Sequence, residues 1–207
     1  MSYRIYPNNE TVSFRKTTAK WGGLSNMSRG FPLYVNDIPI QSSEILYQAC
    51  RYPDYPEIQK EIITLSNPFE AKQVARYYEP KTREGWEKNR VSIMKWSVRI
   101  KLCQNWENFF QLLNSTGSIN IVEHSEKDLF WGARRESDGS FYGMNVLGRI
   151  LMETREIARA RGQEGFKFIP ALQLDNFLLL GETDQRYFCT KTGAIHWANH
   201  GIVLANL

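Results

Sequence analysis

Between Glu84 and Cys103 apolar side chains return at Trp86, Val91, Met94, Val98 and Leu102. That rough 3.6-residue period is the signature of one amphipathic helix, and a helix gains most of its stability from a core to lie against. Proline and glycine cut the rest of the chain into shorter pieces around it. Pro53 and Pro56 end a helix read over Glu44 to Arg51, with Ser43 as its N-cap. Residues 57–65 carry Ile58, Ile62 and Leu65 on one face. At N-P-F-E, Asn67 caps, Pro68 takes the first helical position and Glu70 the third, so a helix starts there and runs to Pro80. Further helices are read over 106–114 and 146–161.

The β content is small. Tyr3 and Ile5, then Val12 and Phe14, read as strands, and Ile119 to Val122 as another. F-P-L-Y-V-N-D-I-P-I reads as a hairpin turning at Asn36-Asp37. The fold class is therefore mainly α with small β elements (α+β). R-G-Q-E-G at 161–165 is the best boundary. It separates a compact domain, 1–162, from a C-terminal extension, 163–207, expected to pack on or beside the domain.

A chain of 207 residues can bury a core of its own. Aromatics make up 13% of it, including six Trp and ten Tyr, more rings than a core needs, which leaves some to stack on a planar ligand. The net charge is +4, and the basic excess lies in 1–162 (23 Lys and Arg against 18 Asp and Glu). This permits a phosphate-bearing partner without requiring one. Cys50, Cys103 and Cys189 are odd in number and lack C-x-x-C spacing, which argues for a reducing compartment and against a disulfide framework. No apolar run approaches the roughly 18 residues of a spanning helix, and M-S-Y-R-I-Y lacks a signal-peptide core. The expected location is the cytoplasm, with no membrane contact.

No P-loop, H-E-x-x-H, G-x-S-x-G or C-x-x-C occurs. His196 and His200 stand four apart but lack a local third ligand, so neither metal nor cofactor is expected. Glu44, at a helix start, suits the helix dipole; it also suits a general acid or base in a dry pocket. Asp128, in S-E-K-D-L-F-W-G, completes a capping box with Ser125 or leads an aromatic turn, Trp131-Gly132, that walls a pocket. Two carboxylates on separate elements are the usual equipment for breaking a bond to an anomeric carbon. K-W-G-G-L-S-N at 20–26 is an ordinary glycine turn, or a loop whose N–H groups approach a pyrophosphate or sugar. Asn145, in G-M-N-V-L-G, is an N-cap or a ligand contact.

Taken in order, G-x-L-S-N, S-S-E-x-x-Y-Q-A, K-L-x-Q-N-W, I-V-E-x-S-x-x-D-x-F-W-G and G-x-N-x-L-G-R-I-L-M-E-x-R resemble the NADAR family of YbiA-like N-glycosidases over roughly residues 12 to 160. The resemblance implies hydrolysis of an N-glycosidic bond to ribose. Two substrates are implied: a phosphoribosylamino pyrimidine of riboflavin synthesis, and ADP-ribose on the amino group of guanine in DNA. In the second case the protein is the antitoxin to a DarT-type DNA ADP-ribosyltransferase, with ADP-ribosylated DNA and that toxin as partners and ADP-ribose as product. F-R-K-T, L-S-N-M and L-Y-Q-A-C-R look like this antitoxin branch. Carried over by motif, Glu44 and Asp128 would be the catalytic carboxylates and Trp86 a residue of the site, although an indole on a helix equally serves a core.

Both substrates are glycosylamines, whose bond can also break by ring opening to an imine. Lys20, directly before W-G-G, is then a candidate to intercept C1 as a Schiff base, with Lys16 second; the plainer role for both is holding phosphates. Substrate contacts are expected from Lys16, Trp21, Gly22, Gly23, Ser25, Asn26, Tyr47, Arg51, Trp131, Gly132 and Asn145, and Arg134 and Arg135 could meet phosphates. A non-catalytic ADP-ribose or toxin-binding module is the rival from another class.

Overall fold

The structure is a computed structural model that describes residues 2–36 and 38–181, and the backbone of 187–188. Two short strands, β1 (Arg4–Tyr6) and β2 (Thr11–Phe14), open the chain, and β3 (Leu33–Val35) and β4 (Ile38–Ile40) follow as a hairpin. Then come α1 (Ser43–Ala49), α2 (Pro56–Ile63), α3 (Pro68–Tyr77) and α4 (Trp86–Gln104). A single π turn, Trp106–Phe110, runs into α5 (Gln111–Ser115). After it lie β5 (Asn120–Glu123), β6 (Arg134–Arg135), β7 (Phe141–Gly143), α6 (Val146–Arg161), β8 (Phe168–Ile169) and β9 (Tyr187–Phe188). Among the described residues the architecture is helical with four small sheets, an α+β fold.

Local chemistry accounts for most boundaries. Asn67 Oδ1 accepts from Phe69 N at 3.0 Å and Pro68 starts α3, as N-P-F-E requires. Asn36 takes a positive φ of 54°, the left-handed geometry of a two-residue hairpin turn; Asp37 lies outside the described residues. One cap differs from expectation: Ser42, not Ser43, caps α1, its Oγ accepting from Ile45 N at 3.3 Å. Ser43 is inside the helix and turns its hydroxyl to Asn26, so Glu44 is the second helical residue.

The core explains why α1 is unusual. α1 packs against α2, α3 and α4, and every residue from Ser43 to Ala49 is buried. A helix buried all round belongs in a core, and this one carries Glu44 and Gln48 into it. From Ile93 onward α4 is mostly buried, with Ile93, Trp96, Ile100 and Lys101 beside the expected Met94, Val98 and Leu102. That is why its sequence period is only rough. α6 lies over β5, which pairs in parallel with β2, setting Phe14 opposite Glu123. β1, β7 and β6 form a separate antiparallel sheet.

The segment beyond α6 is laid across the helices by polar contacts. Trp96 Nε1 donates to Pro170 O at 3.0 Å, and Gln59 Nε2 to Leu178 O at 2.9 Å. Arg83 donates to Asp175 O at 2.6 Å, and Phe166 and Leu179 are buried. Cys50 is a buried free thiol, whereas Cys103 is disulfide-bonded, a pairing that the cysteine spacing did not suggest. No described helix is long and apolar enough to cross a membrane.

Candidate active site

Glu123, at the end of β5, lies within electrostatic reach of two carboxylates from other elements, Glu44 of α1 and Asp128 in the turn that follows β5. Burial pushes the Glu123 carboxyl up to about 7, and the charges of Glu44 and Asp128 push it the same way, against a smaller opposing pull from Lys72. Burial and like charge both favour the protonated form of such a carboxyl.

Each carboxylate is held by its local fold. Glu44 is 6% exposed; its backbone N–H donates to Asn26 O at 3.1 Å, and its Oε1 accepts from Gln48 Nε2, one turn on, at 2.8 Å. Asp128 Oδ1 accepts from the N–H groups of Phe130 (3.1 Å) and Trp131 (2.9 Å). Its own N–H donates to Ser125 Oγ at 2.9 Å. This is an Asx-type turn, not the helical capping box that S-E-K-D suggested, because the carbonyls of 129–132 receive the N–H groups of 144–147, at the entry to α6. Among the described residues Glu44 Oε2 and Asp128 Oδ2 accept no hydrogen bond, so each carboxylate keeps one oxygen for another molecule.

Rings and guanidinium groups form the adjoining wall. Tyr47 lies between Trp86 (centroids 5.0 Å apart) and Trp131 (5.8 Å). Arg51 lies 5.1 Å over the Trp86 ring, and Arg90 3.8 Å over Phe130 and 5.7 Å over Trp131. The Tyr47 phenol is pushed well above its usual range by burial and then by the Glu44 charge. Arg51 also donates to Thr82 Oγ1 at 3.0 Å and to Gln48 Oε1 at 3.3 Å, linking the wall to the Glu44 side chain. Trp86 is buried at the start of α4, so its indole serves packing and the wall together.

The glycine loop is built differently. It forms a tight turn over Gly22–Leu24, and the Gly22 N–H donates to Ala19 O at 2.8 Å. A Cβ on Gly22 would lie 2.2 Å from Thr17 O, and one on Gly23 2.6 Å from a Leu112 methyl. Gly22 is required by close packing, and its N–H is not available to a phosphate as the sequence suggested. Under the loop, fully buried Lys101 donates to Gly23 O at 2.6 Å and Ser25 O at 3.0 Å. Burial holds its ammonium pKa well below the usual lysine range. Ser25 Oγ accepts from Met27 N at 3.1 Å. Asn26, 2% exposed, joins the loop to α1: its Oδ1 accepts from Ser43 Oγ at 3.0 Å, and its Nδ2 meets the Met94 sulfur.

One further expectation needs correction, the side-chain cap at Asn145, and the structure also places Gly132, Lys16 and Lys20. Asn145 makes no side-chain cap. It is fully buried; its Oδ1 accepts from Glu123 N at 3.1 Å and its Nδ2 donates to Ile121 O at 2.8 Å, so it fixes the strand end that bears Glu123. Gly132 is there because a Cβ would lie 2.4 Å from Glu123 O. Lys16 and Lys20 are exposed, and Lys20 rests 4.9 Å over the half-buried Trp21 ring.

Glu123, Arg90 and Lys101 were not singled out in the sequence. Glu123 stands in I-V-E, and β5 runs one residue past the Ile119 to Val122 that the sequence suggests. Arg90 is four residues after Trp86 and so shares its helix face, a spacing that could have revealed it. Among the described residues no group of three or more His, Cys, Asp or Glu could hold a metal ion; His196 and His200 lie outside them.

A model of the NADAR domain matches residues 13–159. Over 145 residues the chain is 32% identical to N-glycosidase YbiA of Escherichia coli, covering 70% of this chain and 86% of that protein. Over 115 residues it is 39% identical to a riboflavin biosynthesis protein of Vibrio vulnificus, covering 56% of this chain and only 30% of that longer protein. The NMR structure of Escherichia coli YbiA has the same fold at a TM-score of 0.63 and 28% identity, over 76% of this chain and 89% of that one.

Proposed function

Because the chain belongs to the NADAR family and is an N-glycosidase, we propose that its substrate is ADP-ribose joined to the amino group of guanine in DNA, which it removes as the antitoxin to a DarT-type ADP-ribosyltransferase. The observation that carries the chemistry is the raised carboxyl of Glu123 between Glu44 and Asp128. In this reading Glu123, protonated, gives its proton to the guanine amine as the C1–N bond breaks. Ionised Glu44 takes a proton from the water that attacks C1, and the products are free ADP-ribose and unmodified guanine. The charge of Asp128 favours the protonated form of Glu123. Tyr47, Trp86 and Trp131 offer faces for the base, and Arg51 and Arg90 meet phosphates. In this reading the reaction takes place in the cytoplasm.

A second reading has support of its own, since two relatives carry the name of a riboflavin biosynthesis protein. There the same residues cleave a phosphoribosylamino pyrimidine. Offering the two substrates side by side separates the readings. Release of ADP-ribose from a modified oligonucleotide by wild type, lost in Glu44→Gln, supports the first. Cleavage of the small pyrimidine alone rejects the DNA partner and retains the chemistry. Binding of ADP-ribose with turnover of neither substrate would leave a non-catalytic module.

A further inference from the structure

Gln48 of α1 and Gln59 of α2 are both buried, and they use their amides differently. Gln59 gives both ends to the backbone. Its Nε2 donates to Ala49 O at 3.1 Å and to Leu178 O at 2.9 Å, and its Oε1 accepts from Leu180 N at 2.7 Å. Such a residue ties segments together. Neither end of the Gln48 amide meets a backbone group among the described residues. Its Nε2 donates to Glu44 Oε1 at 2.8 Å, and its Oε1 accepts from Arg51 Nη1 at 3.3 Å. Both partners are charged side chains of the candidate site.

A guanidinium only donates and an ionised carboxylate only accepts. With Arg51 on one side and Glu44 on the other, one orientation of the amide satisfies both. Arg51 is held in turn, by Thr82 Oγ1 at 3.0 Å and by the face of Trp86 at 5.1 Å. Glu44, Gln48 and Arg51 follow i, i+4, i+7 spacing, so they make one row along α1 and just past its end. The last torsion of a glutamate side chain is broad unless a partner fixes it. Gln48 occupies Oε1, and Oε2 accepts no hydrogen bond among the described residues. The amide does not titrate, so it fixes the carboxylate at every pH without placing a charge against it. We propose that Gln48 is a positioning residue for Glu44: it holds Oε1 so that Oε2 faces the water that attacks C1, and Arg51 sets which way its amide points. The proposal rests on the reading of Glu44 as the base and on neither substrate in particular.

The test is kcat and KM for ADP-ribosylated guanosine and for the phosphoribosylamino pyrimidine, with wild type, Gln48→Met, Glu44→Gln and the double variant of the full chain. Gln48→Met keeps the length of the side chain and removes both hydrogen-bonding ends. On the substrate that wild type cleaves it should lower kcat about ten- to hundredfold, with KM within about twofold. In the Glu44→Gln background it should cost nothing further, because a residue that acts through Glu44 then has nothing left to position. Gln48→Asn, whose amide stops one methylene short of Glu44, keeps a polar group in the helix and should lower kcat alike. Gln59→Met is the structural control and should lower the melting temperature with kcat kept. Wild-type kcat in both Gln48 variants, with Glu44→Gln slow, would overturn the proposal. So would a double variant slowed by the product of the two single effects. Full turnover by Glu44→Gln would instead overturn the reading of Glu44 as the base, and the proposal with it.

Discussion

The glycine loop and the acidic cluster both come from motifs rich in polar residues, yet they use them in opposite ways. In the loop, the Gly22 N–H, Ser25 Oγ, Asn26 Oδ1 and the carbonyls of Gly23 and Ser25 all have partners within the fold. In the cluster, Glu44 and Asp128 each keep an oxygen without a partner among the described residues, and burial with like charge pushes the Glu123 carboxyl up to about 7. A buried polar group that is satisfied supports structure, whereas one left poised is available for chemistry. Residue type alone does not separate the two; partners do.

If that division holds, the largest effect on turnover comes from the cluster. Glu44→Gln is expected to lower kcat by roughly 10²- to 10⁴-fold, with the melting temperature little changed and ADP-ribose still bound. Steady-state kinetics together with calorimetry of binding checks both halves. The loop should respond in stability instead. Gly22→Ala forces a methyl against the Thr17 carbonyl 2.2 Å away and should cost about 2–3 kcal/mol, read from denaturant unfolding. Lys101→Met leaves two buried carbonyls without a donor and should cost about 1–3 kcal/mol by the same measurement.

Glu123 gives the comparison a pH axis. Its folded pKa lies above its ordinary value, so its stabilising contribution is complete below about 4.5 and is lost as pH rises through about 7. Glu123→Gln should remove that dependence and leave the variant more stable than wild type at pH 8, by at most about 3 kcal/mol before solvent screening is allowed for. Unfolding curves at pH 5 and pH 8 test the sign. The smallest expected effect is at Lys20, exposed over Trp21. Lys20→Ala should raise KM a few-fold with kcat kept. A borohydride-trapped sugar adduct that disappears in Lys20→Ala would instead make that lysine a nucleophile.

Much of this was legible in the sequence where the signal was local. N-P-F-E, the 146–161 helix and the 33–40 hairpin depend on near neighbours, and their elements fall where the residues put them. What was not legible depended on distant partners. S-E-K-D has a helix-start pattern, but its turn is shaped by the N–H groups of 144–147, sixteen to nineteen residues on from Asp128. Asn145 reads as a cap until β5 supplies its two partners. Glu44 and Asp128 could be named through motif resemblance, whereas the perturbation of Glu123 exists only once three elements meet.

The central claim is that Glu123 supplies the proton for C1–N cleavage from within this cluster. The most direct test is kcat/KM against pH for wild type and Glu123→Gln, with release of ADP-ribose from modified guanosine as the readout. The account predicts a wild-type rate that falls above about pH 7, and a variant that is slower and lacks that limb. A variant with the same limb and an undiminished rate would contradict it.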